Sequence, residues 1–296
     1  MADIKYMKAV EWDKLSAKFK KTNSQRMAEH AGMWLQRKYD GCFGRAYIHP
    51  ERMLCTMESR EGNDYSKSCA GILDDLHALA ENCCSPNPFV VLGEVWLEGV
   101  PFADISGRFR RQTKGVQDLG FVMHDILPPD MESERPYSKR YEDLMDFYLQ
   151  GYDTSLSVAS TYKEGEWDGD PLEWAITWKA DGGYDGAILR DPTKGYTFGL
   201  VKQGEIVKVK PVLSLDIRVV GRHCEKGEKT GRDVYTISVL HRGVRTKVGS
   251  GIPHAFTSVP IIGDIVQIDC MGMTEDGSLR EPRFITIRND KDTPDA

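Results

Sequence analysis

The sequence predicts an α+β fold in two domains, helices and strands together over residues 1–211 and strands alone over 212–296. Three observations predict it. The chain has 296 residues, a length that suits one large or two modest domains. Strand-like runs and amphipathic helical spacing alternate through its first two thirds. After Lys210-Pro211 the texture changes to short β segments with glycine-rich turns, which places the boundary near 210–213.

The elements follow in order. Residues 10–37 mix helical spacing (Leu15, Phe19) with a polar break at Thr22-Asn23-Ser24. Strands are expected at about 42–49, 53–59 and 89–97, with glycine and proline at their ends. Residues 69–84 read as an amphipathic helix with Ile72, Leu73, Leu76, Leu79 and Ala80 on one side. Further helices fit 138–149 and 167–180. In the latter Trp167, Trp174 and Trp178 recur at helical spacing, a stripe that suits core packing better than base stacking. Beyond the boundary, segments at 216–220, 234–240, 246–249, 264–271 and 284–288 suggest a small barrel or sandwich. An oligonucleotide-binding barrel is one such solution.

Composition bounds the function classes. A hydrophobic content of 40% and a charged content of 28% describe a folded chain, with disorder expected only at the tail 292–296. No apolar run approaches membrane-spanning length, and Met1-Ala2-Asp3-Ile4-Lys5 lacks a signal-peptide core, so a cytoplasmic protein without a membrane partner is expected. Seven cysteines with no C-x-x-C spacing argue against a disulfide framework or a zinc module, leaving Cys83 and Cys84 as buried or incidental thiols. The net charge is −6, yet residues 202–247 hold eleven Lys or Arg against five Asp or Glu, a local balance of +6. Such a stripe fits either a polyanion footprint or a solvated strand surface.

The chemistry centres on Lys38-Tyr39-Asp40-Gly41. Lys38 follows the apolar Met33-Trp34-Leu35 and precedes a glycine, which places it at a strand end or turn. Desolvation and nearby cations would make its amine a usable nucleophile. Alone, the string is as well read as a surface turn. Downstream come Ser59-Arg60-Glu61-Gly62 at a strand end, and Glu94 inside the apolar strand Leu92-Gly93-Glu94-Val95, where an unpaired charge is costly. Asp185 leads into the apolar Gly186-Ala187-Ile188-Leu189-Arg190, and Lys208 and Lys210 share one face of a strand. Two carboxylates beside a reactive lysine suit a magnesium nucleotide, because hard cations take oxygen ligands. The last pieces are Leu279-Arg280-Glu281-Pro282-Arg283-Phe284 and Arg288-Asn289-Asp290-Lys291.

This ordered series resembles the covalent nucleotidyltransferase superfamily, and within it the short ATP-dependent DNA ligases of bacteriophages. The resemblance implies an adenylation domain of antiparallel sheets with flanking helices over 1–211 and an OB-fold domain over 212–296. It implies that Lys38, with Asp40 in the same motif, takes AMP from ATP, that the AMP passes to the 5′-phosphate of a nick, and that the 3′-hydroxyl displaces it. By the same resemblance Glu94 and Asp185 handle ribose and a divalent ion (Mg²⁺ or Mn²⁺), and Lys208 and Lys210 grip phosphates. Arg60 takes the nick phosphate, Lys202 joins the ATP contacts, and Arg288, Asp290 and Lys291 orient pyrophosphate when the C-terminal domain closes. The implied partner is nicked double-stranded DNA, met also by Arg218, Arg222, Arg242 and Lys247. A monomer without an obligate protein partner is expected.

The sequence departs from the family pattern at several positions. Phe43 stands where an arginine is usual, and Arg45, on the same face two residues on, is expected to take over its contact. His124 replaces an aromatic Phe or Tyr that stacks on the base, and can alternatively be read as a satisfied strand histidine. Asp185 replaces a glutamate one methylene longer. Gln36 sits where the family reads the adenine amino group, and its carbonyl oxygen can accept that hydrogen bond. Two other readings share parts of the pattern: an RNA ligase or mRNA-capping guanylyltransferase, and a non-catalytic nucleic-acid-binding protein that keeps the barrel. The C-terminal arginine segments favour the DNA-ligase branch over the first, and the intact set of Lys38, Glu94, Asp185, Lys208 and Lys210 argues against the second. The 37 residues before Lys38 leave no room for the nicotinamide-binding domain of NAD-dependent ligases.

Overall fold

The structure, a computed structural model, describes residues 6–12, 15, 32–82, 86–111, 118–151, 155–163, 165–201, 205–227 and 231–295. It divides into two compact units, Met1–Lys210 and Pro211–Ala296.

The first unit runs β1 (Met7–Lys8), β2 (Val10–Glu11), β3 (Trp34–Tyr39), β4 (Cys42–His49), β5 (Leu54–Glu58), α1 (Ala70–Asn82), β6 (Phe89–Trp96), α2 (Phe102–Phe109) and β7 (Gly120–Leu127). It continues through α3 (Tyr137–Tyr148), β8 (Leu156–Val158), β9 (Thr161–Tyr162), α4 (Pro171–Asp181), β10 (Tyr184–Arg190), β11 (Gly199–Leu200) and β12 (Ile206–Val209). Two five-stranded, mostly antiparallel sheets result, ordered β5-β4-β6-β7-β8 and β2-β12-β10-β3-β9.

Each sheet buries one face under helices. Ile72, Leu76 and Leu79 of α1 and Leu144 and Phe147 of α3 pack on Ala46, Ile48, Val91 and Val95 of the first sheet. Ala175 and Trp178 of α4 cover Leu35, Ala187, Leu189, Val207 and Val209 of the second. The period of two then turns Gln36 and Lys38 (β3), Ile188 and Arg190 (β10), and Ile206 and Lys208 (β12) to the opposite face. The outward faces of both sheets line one cleft.

Local chemistry sets several boundaries. The helix expected over 167–180 begins only at Pro171. The Asp170 carboxylate accepts from the Leu172 N–H at 2.8 Å, and proline at the first helical position needs no N–H partner. Trp167 therefore lies outside α4, its indole donating to the Met33 carbonyl at 3.0 Å. Trp178 is the buried member of the stripe. Helix α2 was not read from the sequence, being two short turns with only Ile105 and Phe109 buried. Thr22, Asn23, Ser24, Phe19, Cys83 and Cys84 lie outside the described residues. Cys42, Cys69 and Cys270 are buried free thiols, Cys55 is half-buried and Cys224 is exposed.

The second unit holds β13 (Leu213–Lys226), β14 (Asp233–His241), β15 (Val244–Val248), β16 (Ile265–Cys270) and β17 (Arg283–Ile287) in one antiparallel sheet ordered β15-β14-β13-β16-β17. Its two edges meet: the Phe284 N–H donates to the Ser250 carbonyl at 2.9 Å, and Ser250 bridges Arg283. The sheet thus curls on itself around Ile217, Val219, Ile237, Val239, Val266 and Ile268. Leu279 and Phe284 of the C-terminal pattern fill this same core, so part of that pattern is structural. The expectation of a disordered tail is corrected. The Asp295 N–H donates to the Asp216 carbonyl at 2.7 Å and its carboxylate accepts from the Asp216 N–H at 2.8 Å, which ties 292–295 to β13. Among the described residues no helix is long and apolar enough to cross a membrane.

Candidate active site

The cleft of the first unit encloses about 450 Å³. Gln36, Lys38, Phe43, Arg60, Glu94, His124, Arg190, Lys208 and Lys210 are among the residues that line it. Three strands that contribute to it, β3, β10 and β12, come from far apart in the chain, and antiparallel register brings them together: Lys38 opposes Gly186, while Lys208 opposes Ile188 and Ile188 opposes Gln36.

Asp185, buried behind the cleft lining, gathers two of its lysines. It is the extra residue of a bulge in β10, between the pairs Tyr184↔Tyr39 and Gly186↔Lys38. Gly186 makes the bulge possible: at φ +132 it lies where side chains are strained, and a Cβ would meet the Val209 carbonyl oxygen at 2.2 Å. The Lys38 Nζ lies 2.8 Å and the Lys210 Nζ 2.7 Å from one oxygen, Oδ2 of Asp185. Burial alone would raise the Asp185 pKa, but the charges and hydrogen bonds of Lys38 and Lys210 outweigh it and hold the carboxyl at about 2. Lys208 shares the cleft face with Lys210, but its amine is 3.1 Å from Glu11 of β2.

Glu94 faces the cleft from β6, whose other residues on that face are apolar. Burial pushes its carboxyl up to about 7, against the pull of Lys38 and Arg60. No group of three His, Cys, Asp or Glu able to hold a metal occurs among the described residues. A divalent ion here would rest on one or two carboxylates, with a nucleotide's phosphates supplying further oxygens, the pattern magnesium favours.

His124 lines the same cleft from β7. The Arg190 guanidinium, which can only donate, lies 3.2 Å from His124 Nδ1, so that nitrogen accepts and Nε2 carries the proton. Burial, then the Arg190 charge, push the His124 pKa down to about 3, which keeps the imidazole neutral. A buried pair underlies it: Arg140 donates to both oxygens of Asp125 at 2.7 and 3.0 Å, and Arg190 lies 3.3 Å from Asp125 Oδ2. Sequence reasoning missed Arg140, Arg190 and Tyr137. Arg190 alone left a signal, its parity with Ile188 on β10.

Other expected site residues fall differently. Arg45 does not line the cleft. It opposes Glu58 across β4 and β5, and that carboxylate holds its guanidinium at 2.7 Å. Sharing a strand face with Phe43 was not enough, because the acid on the neighbouring strand lies nearer. The cation beside Phe43 is Arg60, its guanidinium carbon 4.7 Å from the ring centroid. Arg60 also lines an adjoining cavity of about 570 Å³ that shares Lys38, Phe43 and Glu94 and adds Ser59, Asn63 and Arg110. Asp40 lines a separate depression with Arg37, Trp96 and Tyr184. Lys202 lies outside the described residues.

In the second unit Arg288 donates to Asp216 at 2.8 Å and to Asp290 at 2.9 and 2.7 Å, and Lys291 also pairs with Asp216. Hydrogen bonding from Arg288 holds the Asp290 carboxyl at about 2. Arg218 donates to the carbonyls of Gly263 and Asp292 at 2.9 and 3.1 Å. Arg222 lies over Phe256 at 4.3 Å and Tyr235 at 5.3 Å. Arg242 is exposed in a left-handed hairpin turn, and Lys247, also exposed, is 3.8 Å from Glu225. The positive stripe of the sequence is therefore split between the units, and several of its members are neutralised by nearby acids.

Residues 7–210 match the ATP-dependent DNA ligase domain family. A DNA ligase of Halorubrum lacusprofundi is 25% identical over 88% of this chain and 51% of its own length, so the chain spans about half of that relative. The DNA ligase of Enterobacteria phage T3 is 26% identical over 78% of this chain and 80% of its own. A solved Lig E DNA ligase structure is alike in fold, with a TM-score of 0.70 at 17% identity over 96% of this chain and 99% of that one. With the family match covering more than half of its length, the chain belongs to the ATP-dependent DNA ligase domain family.

Proposed function

We propose that the cleft performs adenylyl transfer for nick sealing. The amine of Lys38 attacks the α-phosphorus of ATP, a nitrogen–phosphorus bond forms and pyrophosphate leaves. The AMP then moves to the 5′-phosphate oxygen at a nick, freeing Lys38, and the 3′-hydroxyl displaces AMP to close the phosphodiester. The observation that carries this is the convergence on Asp185 of Lys38 and Lys210, which line one cleft together with Gln36 and a neutral His124.

The residues divide the work by position. For Lys38 to attack, its ion pair with Asp185 must open, because an ammonium has no lone pair to offer. Incoming phosphates compete for both lysines and for Arg60, a positioning and charge-neutralising role of the kind phosphoryl-type transfer needs. Asp185, with Glu94, would hold a magnesium ion arriving with the nucleotide, and that ion would neutralise phosphate charge. His124 offers a neutral ring face to the base. Arg288 and Lys291 engage pyrophosphate once both have exchanged Asp216 for it, with Asp290 holding the Arg288 guanidinium in place. The curled sheet of the second unit is read as an OB-fold that meets duplex DNA through phosphate contacts, Arg222, Arg242 and Lys247 among them.

The test is covalent labelling. Magnesium and α-phosphate-labelled ATP are expected to label the protein, and Lys38→Ala is expected to abolish the label. Undiminished label on Lys38→Ala would overturn the assignment. Label from GTP alone would move the activity to guanylyl transfer, and sealing tested on nicked DNA, RNA and hybrid duplexes identifies the polymer.

A further inference from the structure

Gln36 is 2% exposed, and its amide is not free to turn. Its Nε2 donates to the Tyr137 hydroxyl at 2.8 Å and to the Thr161 hydroxyl at 2.7 Å. A hydroxyl has one proton, and both of these protons are already committed. Tyr137 donates to the His124 carbonyl at 3.0 Å, and Thr161 donates to the Ala159 carbonyl at 2.8 Å. Each hydroxyl can therefore only accept from Gln36. Turning the amide over would set its carbonyl oxygen against two lone pairs and leave the amino group without either acceptor, at the cost of two buried hydrogen bonds.

The acceptors are themselves fixed by the fold. Between Leu92↔Asp125 and Gly93↔Met123 the register of β6 and β7 slips by one residue, so His124 has no partner in β6 and its carbonyl takes the Tyr137 proton. Burial raises the Tyr137 pKa well above the ordinary phenol range, so the hydroxyl keeps its single proton. Thr161 opposes Gln36 directly across β3 and β9. With both amide hydrogens turned inward, Oε1 is the amide atom left for a ligand in the cleft.

We propose that Tyr137 and Thr161 are positioning residues for base selection: they lock the Gln36 amide with its oxygen outward, so that the cleft accepts purine nucleoside triphosphates with an amino group at position 6 and rejects those with an oxo group there. An exocyclic amino group donates to Oε1. A 6-oxo purine would place oxygen against oxygen, and the locked amide cannot turn its NH₂ to meet it. Sites that fix a buried hydrogen-bonding pattern discriminate far more strongly than sites that only exclude bulk. This inference rests on the adenylyl-transfer reading of the cleft.

The experiment compares covalent labelling by ATP and by inosine triphosphate, which carries oxygen at position 6 and no 2-amino group. The wild type is expected to favour ATP. In Tyr137→Phe/Thr161→Val nothing orients the amide, and the ratio of kcat/KM for ATP over inosine triphosphate is expected to fall at least tenfold. Tyr137→Phe/Thr161→Ser keeps one hydroxyl and is expected to retain most of the selectivity, which separates hydroxyl direction from packing. Should the first double variant not fold, Tyr137→Phe/Thr161→Ala, which also removes both hydroxyls, is expected to lower the ratio at least tenfold. A ratio unchanged within twofold in a folded variant that lacks both hydroxyls and still takes label from ATP would overturn the inference alone. No label from ATP on the wild type would overturn the reading of the cleft, and this inference with it.

Discussion

Asp185 meets the Lys38 amine at 2.8 Å through the same oxygen that receives Lys210, so one carboxylate oxygen holds both lysines. The bulge at Gly186 creates this relationship by turning Asp185 toward the neighbouring strand. Asp185→Asn removes the charge that collects both lysines. Lysyl-AMP formation is expected to fall by at least about 100-fold, in line with the loss of one preorganised electrostatic group. Single-turnover labelling at saturating ATP measures it, and a loss below threefold would remove Asp185 from the site.

Arg60 and Arg45 make opposite predictions. Arg60→Ala removes a cation that lines both cavities beside Lys38 and is expected to slow adenylylation or sealing by roughly 10-fold or more. Arg45→Ala breaks a largely buried pair with Glu58 outside the cleft, which lowers stability, and leaves labelling within about twofold. Rates for the two variants side by side decide which arginine serves the position that Phe43 vacates.

Glu94 makes the ligand-free protein sensitive to pH. Its folded pKa, about 7, lies above the ordinary glutamate value, so the folded state holds this proton more tightly than the unfolded state. The stability linked to that proton is fully present below about pH 4.5 and is lost as pH rises through about 7. Glu94→Gln has no such proton to lose. Its melting temperature is expected to exceed that of the wild type by roughly 3 °C or more at pH 8, with the gap closing toward pH 5. Thermal melts at the two pH values read this directly, and an equal gap at both would assign the effect to packing.

Asp125, next to His124 on β7, holds both Arg140 and Arg190. Asp125→Ala strands buried guanidinium charge and is expected to destabilise the first unit by about 3–5 kcal/mol, the usual cost of removing one member of a buried pair. Urea unfolding would show it. Recovery of much of the stability in an Asp125→Leu/Arg140→Met double variant is expected, because uncompensated charge rather than lost attraction sets the cost.

Much of the site was legible because the chemistry is carried by residue type and order. Lys38, Glu94, Asp185 and the Lys208/Lys210 pair were readable as a set, since charges at strand ends and inside apolar strands stand out from a period-two pattern. Arg45 misled because shared parity on a strand says nothing of the acid on the next strand. Arg140, Tyr137 and Thr161 left no signal, because each reaches the site through partners at least 100 residues away or from a helix or a two-residue strand with no pattern of its own.

The sequence by itself determined the two-part α+β plan and singled out Lys38, Glu94 and Asp185, because hydrophobic periodicity and charge in apolar strands are local properties. Only the tertiary structure decided that Asp185 gathers Lys38 and Lys210, that Glu58 takes Arg45 away, and that Asp216 holds Arg288 and Lys291. It decided also which way the Gln36 amide faces. Register, bulges and the direction of each hydroxyl proton depend on several strands at once, and no single stretch of sequence contains them.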